Sequence, residues 1–314
     1  MRKHPISSFF SFSNEDYTGS FSSRKDLTEA STFLSCTFNC ESTSGAGGAI
    51  YFHGVSSSLT ISDCLFNKCS SSTGSGGAVY CFNCGQISVH TSAFIECSAW
   101  PYYGAGGMLT NNALVLPEIT KCIFLSCEAG SDCGGLYLIR TKGGTNGENL
   151  PVKECRFISC VAYGKVSGSQ TNEADGGGLM YWSNDYTFGI TNSLFSKCHS
   201  DLRAGALCIA INSNPFSHIV RFCFFSENTA KKGNNALIYL NGSSTDDWAK
   251  VFFHSFTSDN DLTNSLVQNH PAADPVTANW LPLTTIKRIV LALAAHEKEI
   301  STQPIHMMKC SRLF

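Results

Sequence analysis

Charge is scarce in this chain, and so is any long apolar run. Only 15% of its 314 residues are charged, and the formal net charge is −2. No basic excess is available to draw a phosphate backbone, so nucleic acid is not an expected partner. No stretch of 18 apolar residues occurs, so no transmembrane segment is expected. The longest tail run, Ile289 to Ala295, is far too short. A secretory leader is not visible either: the basic start Met1 to His4 is followed by ISSFFSFSNED, too polar for an apolar leader core. That reads as an intracellular chain, or as a piece that has lost its targeting segment. The 3.6-residue apolar pattern of helices is missing from the body of the chain. The phosphate-cradling phrase G-x-x-x-x-G-K-[ST] is missing too.

What the chain has instead is cysteine (16 residues), phenylalanine (22) and glycine (27), arranged in a repeat. Phe66, Phe94, Phe124, Phe157, Phe195, Phe225 and Phe256 recur, mostly about 30 residues apart. Three residues after them stand Cys69, Cys97, Cys127, Cys160 and Cys198, then Asn228 and Asp259. Two residues before them stand Cys64, Ser92, Cys122, Cys155, Ser193 and Cys223. An earlier copy lies in STFLSCTFNC, as Phe33 with Cys36 or as Phe38 with Cys40, its register open. A glycine phrase keeps step: Gly47-Gly48-Ala49-Ile50, Gly76-Gly77-Ala78-Val79, Gly106-Gly107-Met108-Leu109, Gly134-Gly135-Leu136 and Gly177-Gly178-Leu179-Met180. It continues as Ala204-Gly205-Ala206-Leu207 and Asn234-Asn235-Ala236-Leu237.

Each unit holds three strand-like pieces: one after the glycines, one before the Phe, and the Phe-x-x-Cys segment itself. Short strands that cannot close a core alone, stacked in register, make a parallel β-helix. The expected architecture is all-β, a solenoid of about seven or eight coils. Its domains are an N-terminal cap or disordered segment over 1–30, the repeat over 31–260, and an atypical tail or cap over 261–314. Within a strand, alternate side chains share a face, so the Phe and the residue two before it both point inward. The cysteines behave there as small buried apolar groups. Their replacement by Asn228 marks a site for a small hydrogen-bonding side chain at a turn. The glycines allow a tight corner or a close backbone approach.

The phrases Gly-Gly-Ala-(Ile/Val) and Phe-x-x-Asn resemble repeats of the chlamydial polymorphic outer membrane protein family and of related protist surface proteins. GGAI at 47–50, GGAV at 76–79 and FSEN at 225–228 carry the resemblance, while the other copies put Cys where that family has Asn. The resemblance covers roughly 30–260. It implies a right-handed β-helix exposed at a cell surface and used for adhesion, with a surface protein or glycan of a host or neighbouring cell as partner.

Chemistry finds little footing in the sequence. Cys64, Cys69, Cys81 and Cys84 have a zinc-like spacing, but the repeat already explains the first two, and no metal or other cofactor is expected. Disulfides between neighbouring coils, such as Cys127 with Cys160, are sterically open. Polysaccharide cleavage needs paired carboxylates. Asp246-Asp247 reads as a solvated turn, and Glu173 and Asp175 fall in a long polar loop. No catalytic residue is assigned, and the expected function is a non-catalytic binding module. The alternative is a polysaccharide-active or carbohydrate-binding protein of pectin-lyase-like fold. Trp100, Tyr102, Tyr103, Trp182 and Tyr186 are the candidate binding surface, since aromatic residues dominate binding hot spots. Long insertions at 140–151 and 161–177 enlarge one coil. A sequon occurs at Asn241-Gly242-Ser243, and 286–300 has the apolar stripe of one amphipathic helix.

Overall fold

The computed structural model describes residues 15–39, 42–55, 57–100, 105–111, 115, 117–140, 151–164, 175–183, 189–211, 219–231, 238–241, 252–253 and 256–257. The helix expected over 286–300 and the acidic pair at 246–247 lie outside them. The described chain is an all-β parallel solenoid. Every pairing between these strands is parallel, through sheets of sixteen, eight and six strands, and only that of Glu15–Phe21 with Ser31–Phe38 carries a register shift.

Each coil has four strands, one more than the sequence pattern indicates. Leu59–Ser62, Leu65–Asn67 and Ser70–Ser71 follow one another, and Val79–Phe82 opens the next coil. The extra strand is the two-residue one. It is too short to show any periodicity, and its inward residue is small in every coil: Ser71, Ala99, Ala129, Ala162 and Ser200 are buried. Six coils carry all four strands among the described residues, slightly fewer than expected. At the N-terminal end, Glu15–Phe21 lies along Ser31–Phe38, and Lys25–Leu27 along Ile50–Phe52.

Phenylalanine forms the spine. Phe38, Phe66, Phe94, Phe124, Phe157, Phe195 and Phe225 pair in one register. Their rings stack at 4.7–5.0 Å between centroids, with planes 4–8° apart. A parallel stacked pair at this separation adds about 0.5–1.5 kcal/mol beyond burial. Phe38 is therefore the earlier copy, and Phe33 belongs to the neighbouring face, paired with Ile61. The column is extended at one end by Phe21, 4.9 Å from Phe38, with the Lys25 ammonium 4.8 Å from the Phe21 ring. At the other end the simple period fails: Thr257, not Phe256, pairs with Phe225. A slip of one residue in a strand exchanges its two faces.

The corners explain the cysteines. Thirteen corner residues that are not glycine, among them Asp63, Lys68, Glu96, Lys121 and Glu227, have φ of 47–56°, and the ladder residue follows each of them. A left-handed residue with a Cβ costs about 1–2 kcal/mol. The ladder side chain offsets this by reaching back one coil. The thiols of Cys97, Cys127, Cys160 and Cys198 donate to the carbonyls of Phe66, Phe94, Phe124 and Phe157 at 3.3–3.4 Å. Asn228 does the same with its amide: Nδ2 donates to the Phe195 carbonyl at 3.1 Å, and Oδ1 accepts from the Cys198 N–H at 3.0 Å. The column two residues before the Phe uses the same device, Cys64 donating to the Phe33 carbonyl and Cys155 to that of Ile119, both at 3.5 Å.

The glycine phrase shifts by one residue partway along the rod. Met108 pairs with Val79 and with Leu136, so Gly106, not Gly107, aligns with Gly77. Aligned by structure, one column is glycine in six successive coils: Gly48, Gly77, Gly106, Gly134, Gly177 and Gly205. Close approach is the reason. A Cβ on Gly77 would fall onto the carbonyl oxygens of Gly106 and Ser98.

Among the described residues, one buried side-chain hydroxyl is left over. Thr110 stands in a column with Cys81 and Leu138, and its hydroxyl has no hydrogen-bond partner among the described residues. An unpaired buried hydroxyl costs about 1–3 kcal/mol. Thr110→Val, close to isosteric, is expected to raise the unfolding free energy by about 1 kcal/mol in urea titrations. At the corner, Asn228→Cys is expected to leave stability nearly unchanged. Asn228→Leu, which strands the Phe195 carbonyl and the Cys198 N–H, should cost about 1–3 kcal/mol by the same assay.

Candidate functional site

The residues one and three places after each ladder corner point out of the rod. In the strands beginning at Ser70, Ser98, Glu128, Val161, His199 and Thr229, the first residue is outward and the second inward. The next residue again faces out, and the backbone holds it in register. Trp100, Gly130, Tyr163, Asp201 and Lys231 each donate their N–H to the inward residue one coil back, at 2.9–3.0 Å. Two parallel outward columns result. Side by side they form a strip along the axis of the rod.

This strip brings aromatic and polar side chains of neighbouring coils into contact. Trp100 and Tyr163 stand two coils apart, yet their rings stack at 5.5 Å with planes 28° apart. Gly130 occupies the rung between them and has no side chain to keep them separate. Farther along, His199 Nε2 lies 3.1 Å from Asp201 Oδ1, and its Nδ1 lies 2.7 Å from Thr229 Oγ1. Lys231 Nζ is 2.7 Å from the same Asp201 oxygen. Burial raises the Asp201 carboxyl, but Lys231 and His199 outweigh it and hold the group below the usual carboxylate range. Tyr163 is pushed up by burial and then by Glu128 beside it.

The aromatic candidates of the sequence do not come together. Trp100 is on the strip. Trp182 is on another face, packed against a second apolar cluster of Leu109, Tyr137, Met180 and Cys208 outside the tube. Tyr102, Tyr103 and Tyr186 lie outside the described residues. Tyr163, Glu128, His199, Asp201 and Lys231 escaped the reading of the sequence. Counting one and three places beyond each Cys or Asn of the Phe-x-x-(Cys/Asn) phrase would have found all five.

Asp175 is not an ordinary loop charge. It forms a parallel bridge with Arg203, its side chain is only 6% exposed, and Arg203 holds it through two nitrogens, Nε at 2.9 Å. Burial still raises its carboxyl against that partner.

All fourteen described cysteines are buried and unbridged, Cys127 and Cys160 included. Burial pushes the thiols of Cys97, Cys127, Cys155 and Cys198 well up, and that of Cys64 to about 12. Protonated thiols of this kind are poor nucleophiles and poor metal ligands. Cys81 and Cys84 do not face opposite ways. A left-handed Asn83 turns Cys84 inward, where its thiol donates to the Phe52 carbonyl at 3.5 Å. Among the described residues no group of three or more His, Cys, Asp or Glu side chains is placed to hold a metal ion. No helix among them is long and apolar enough to cross a membrane.

Fold and strip together define a cysteine-laddered parallel β-solenoid that carries an aromatic and polar strip. No family model, curated protein or solved structure matches the chain.

The Asp201 cluster has a pH signature. A carboxyl lowered by folding contributes stability above its unfolded pKa of about 3.9 and loses it as pH falls through the lowered value. Wild type is therefore expected to be more stable than Asp201→Asn above pH ~4. The gap should shrink toward zero with further acidification, read as thermal midpoints by circular dichroism.

Proposed function

We propose that the chain is a non-catalytic binding module of a cell surface, a rigid rod whose outer strip meets a surface protein or glycan of a host or neighbouring cell. The observation that carries this reading is the division of labour in the coil. Inward and corner side chains, the ladder thiols included, are committed to core packing and to inter-coil hydrogen bonds. The strip of Trp100, Tyr163, Glu128, His199, Asp201 and Lys231 holds aromatic and charged groups outside the tube, past the corner and core contacts. The resemblance of the repeats to those of chlamydial polymorphic outer membrane proteins supports the cell-surface setting.

A hydrolytic reading has one observation in its favour, the chain of contacts from Thr229 through His199 to Asp201, a hydroxyl, an imidazole and a carboxylate. Two facts weigh against it. His90 Nδ1 makes the same contact with Thr120 Oγ1 one coil on, at 2.6 Å, on a different face. The His–Thr pair is thus a way for neighbouring rungs to meet. Asp201 is also shared with Lys231, which reduces its hold on the imidazole.

Protease shaving of intact source cells tests the proposal. Loss of the repeat region from intact cells is the expected result. Protection until lysis would place the rod inside the cell and end the adhesion reading.

A further inference from the structure

We propose that the strip binds a neutral oligosaccharide laid along the axis of the rod, packed against the Trp100–Tyr163 pair and hydrogen-bonded by Glu128, Asp201 and Lys231. The inference rests on the binding-module reading and names its ligand class.

Three features point the same way. The first is the ring pair. Sugar rings present C–H faces that pack against aromatic planes, while their hydroxyls need polar neighbours at the edge. Trp100 and Tyr163, both half-buried, stack on each other across the Gly130 rung, with Glu128 against Tyr163. The second is the mixture of donors and acceptors. A sugar hydroxyl both gives and takes a hydrogen bond. Glu128 and Asp201 accept and Lys231 donates, while His199, its two ring nitrogens engaged by Asp201 and Thr229, steadies the cluster. The side chains of His199 and Asp201 are 27% and 21% exposed, held in place by their mutual contact yet open at the surface.

The third feature is spacing and charge. Rungs repeat at about 4.8 Å, close to the length of one pyranose unit, so successive sugars of a linear glycan meet successive rungs. Glu128 and Asp201 against Lys231 leave the strip at −1 with His199 neutral. The adjoining corner column of Lys68, Glu96, Lys197 and Glu227 has two charges of each sign and leaves that balance unchanged. A polyanionic chain of uronates or sulfated sugars gains nothing from this surface, whereas a neutral hexose or N-acetylhexosamine chain suits it.

The test uses the full chain with cellohexaose, chitohexaose and hexagalacturonate, followed by isothermal titration and tryptophan fluorescence. At least one neutral hexasaccharide is expected to bind, and hexagalacturonate is not. Trp100→Ala should weaken binding at least tenfold and Tyr163→Ala at least fivefold. Both side chains lie outside the tube, and unchanged circular dichroism will show that the fold persists. Should either variant unfold, Glu128→Gln, which keeps shape and removes charge, is expected to weaken binding at least threefold. Unchanged affinity in the folded variants, or stronger binding of the uronate, overturns the proposal.

A second arm separates this inference from the reading beneath it. Labelled protein is applied to epithelial monolayers with and without periodate oxidation of their sugar diols. Binding abolished by periodate supports the glycan. Binding that survives periodate overturns the glycan and leaves the module reading standing. Absence of binding to either monolayer, together with none to the neutral hexasaccharides, sinks both.

Discussion

Everything in the rod depends on how a coil turns its corner. A chain that must bend within two residues leaves a carbonyl and an amide open toward the next coil, and both lie too deep for water. The structure answers with one left-handed residue followed by a short side chain that reaches back. A thiol, a hydroxyl or a carboxamide serves, because each is small and can donate. Once the corner is satisfied, the strands on either side are locked in register and the phenylalanines have no choice but to stack. The glycine column completes the coil where two backbones approach too closely for a Cβ.

That constraint also decides where chemistry can sit. Fourteen cysteines would ordinarily invite a search for metal, redox or nucleophilic function. Here they are buried and closed off, and Asn228 shows that sulfur as such is dispensable at the ladder position. Function is left to side chains that the corner places but does not use. The residues just past it are carried outward on a fixed lattice, so a row of unrelated residues, Trp100, Tyr163, Asp201 and Lys231, becomes one surface.

The repeat was legible because it is written in large, conspicuous residues. Phe66 through Phe225 and their cysteines announce an inward column at a fixed period, and that is enough for fold class. The two-residue strand was not legible, since Ser70–Ser71 or Val161–Ala162 shows no alternation to read. The glycine register misled for a physical reason. Gly106-Gly107 and Gly134-Gly135 look like the earlier pairs, but the obligatory column is set by backbone contact with the next coil, which sequence does not display. The strip was invisible until the corner was understood, because its members share a place and not a residue type. Asp175 looked like loop charge since its partner, Arg203, lies 28 residues away.

The in-register, one-coil-per-rung construction has a mechanical side. Adjacent coils are joined by short parallel ladders, so a load applied across the ends of the rod falls mainly on the outermost rung. Such a rod yields by peeling one coil at a time. Coils run from 28 residues, Phe66 to Phe94, to 38 residues, Phe157 to Phe195. Each release would therefore pay out on the order of 100 Å of slack chain. Under tension it would lengthen stepwise as a shock absorber, while the coils still wound keep their faces aligned.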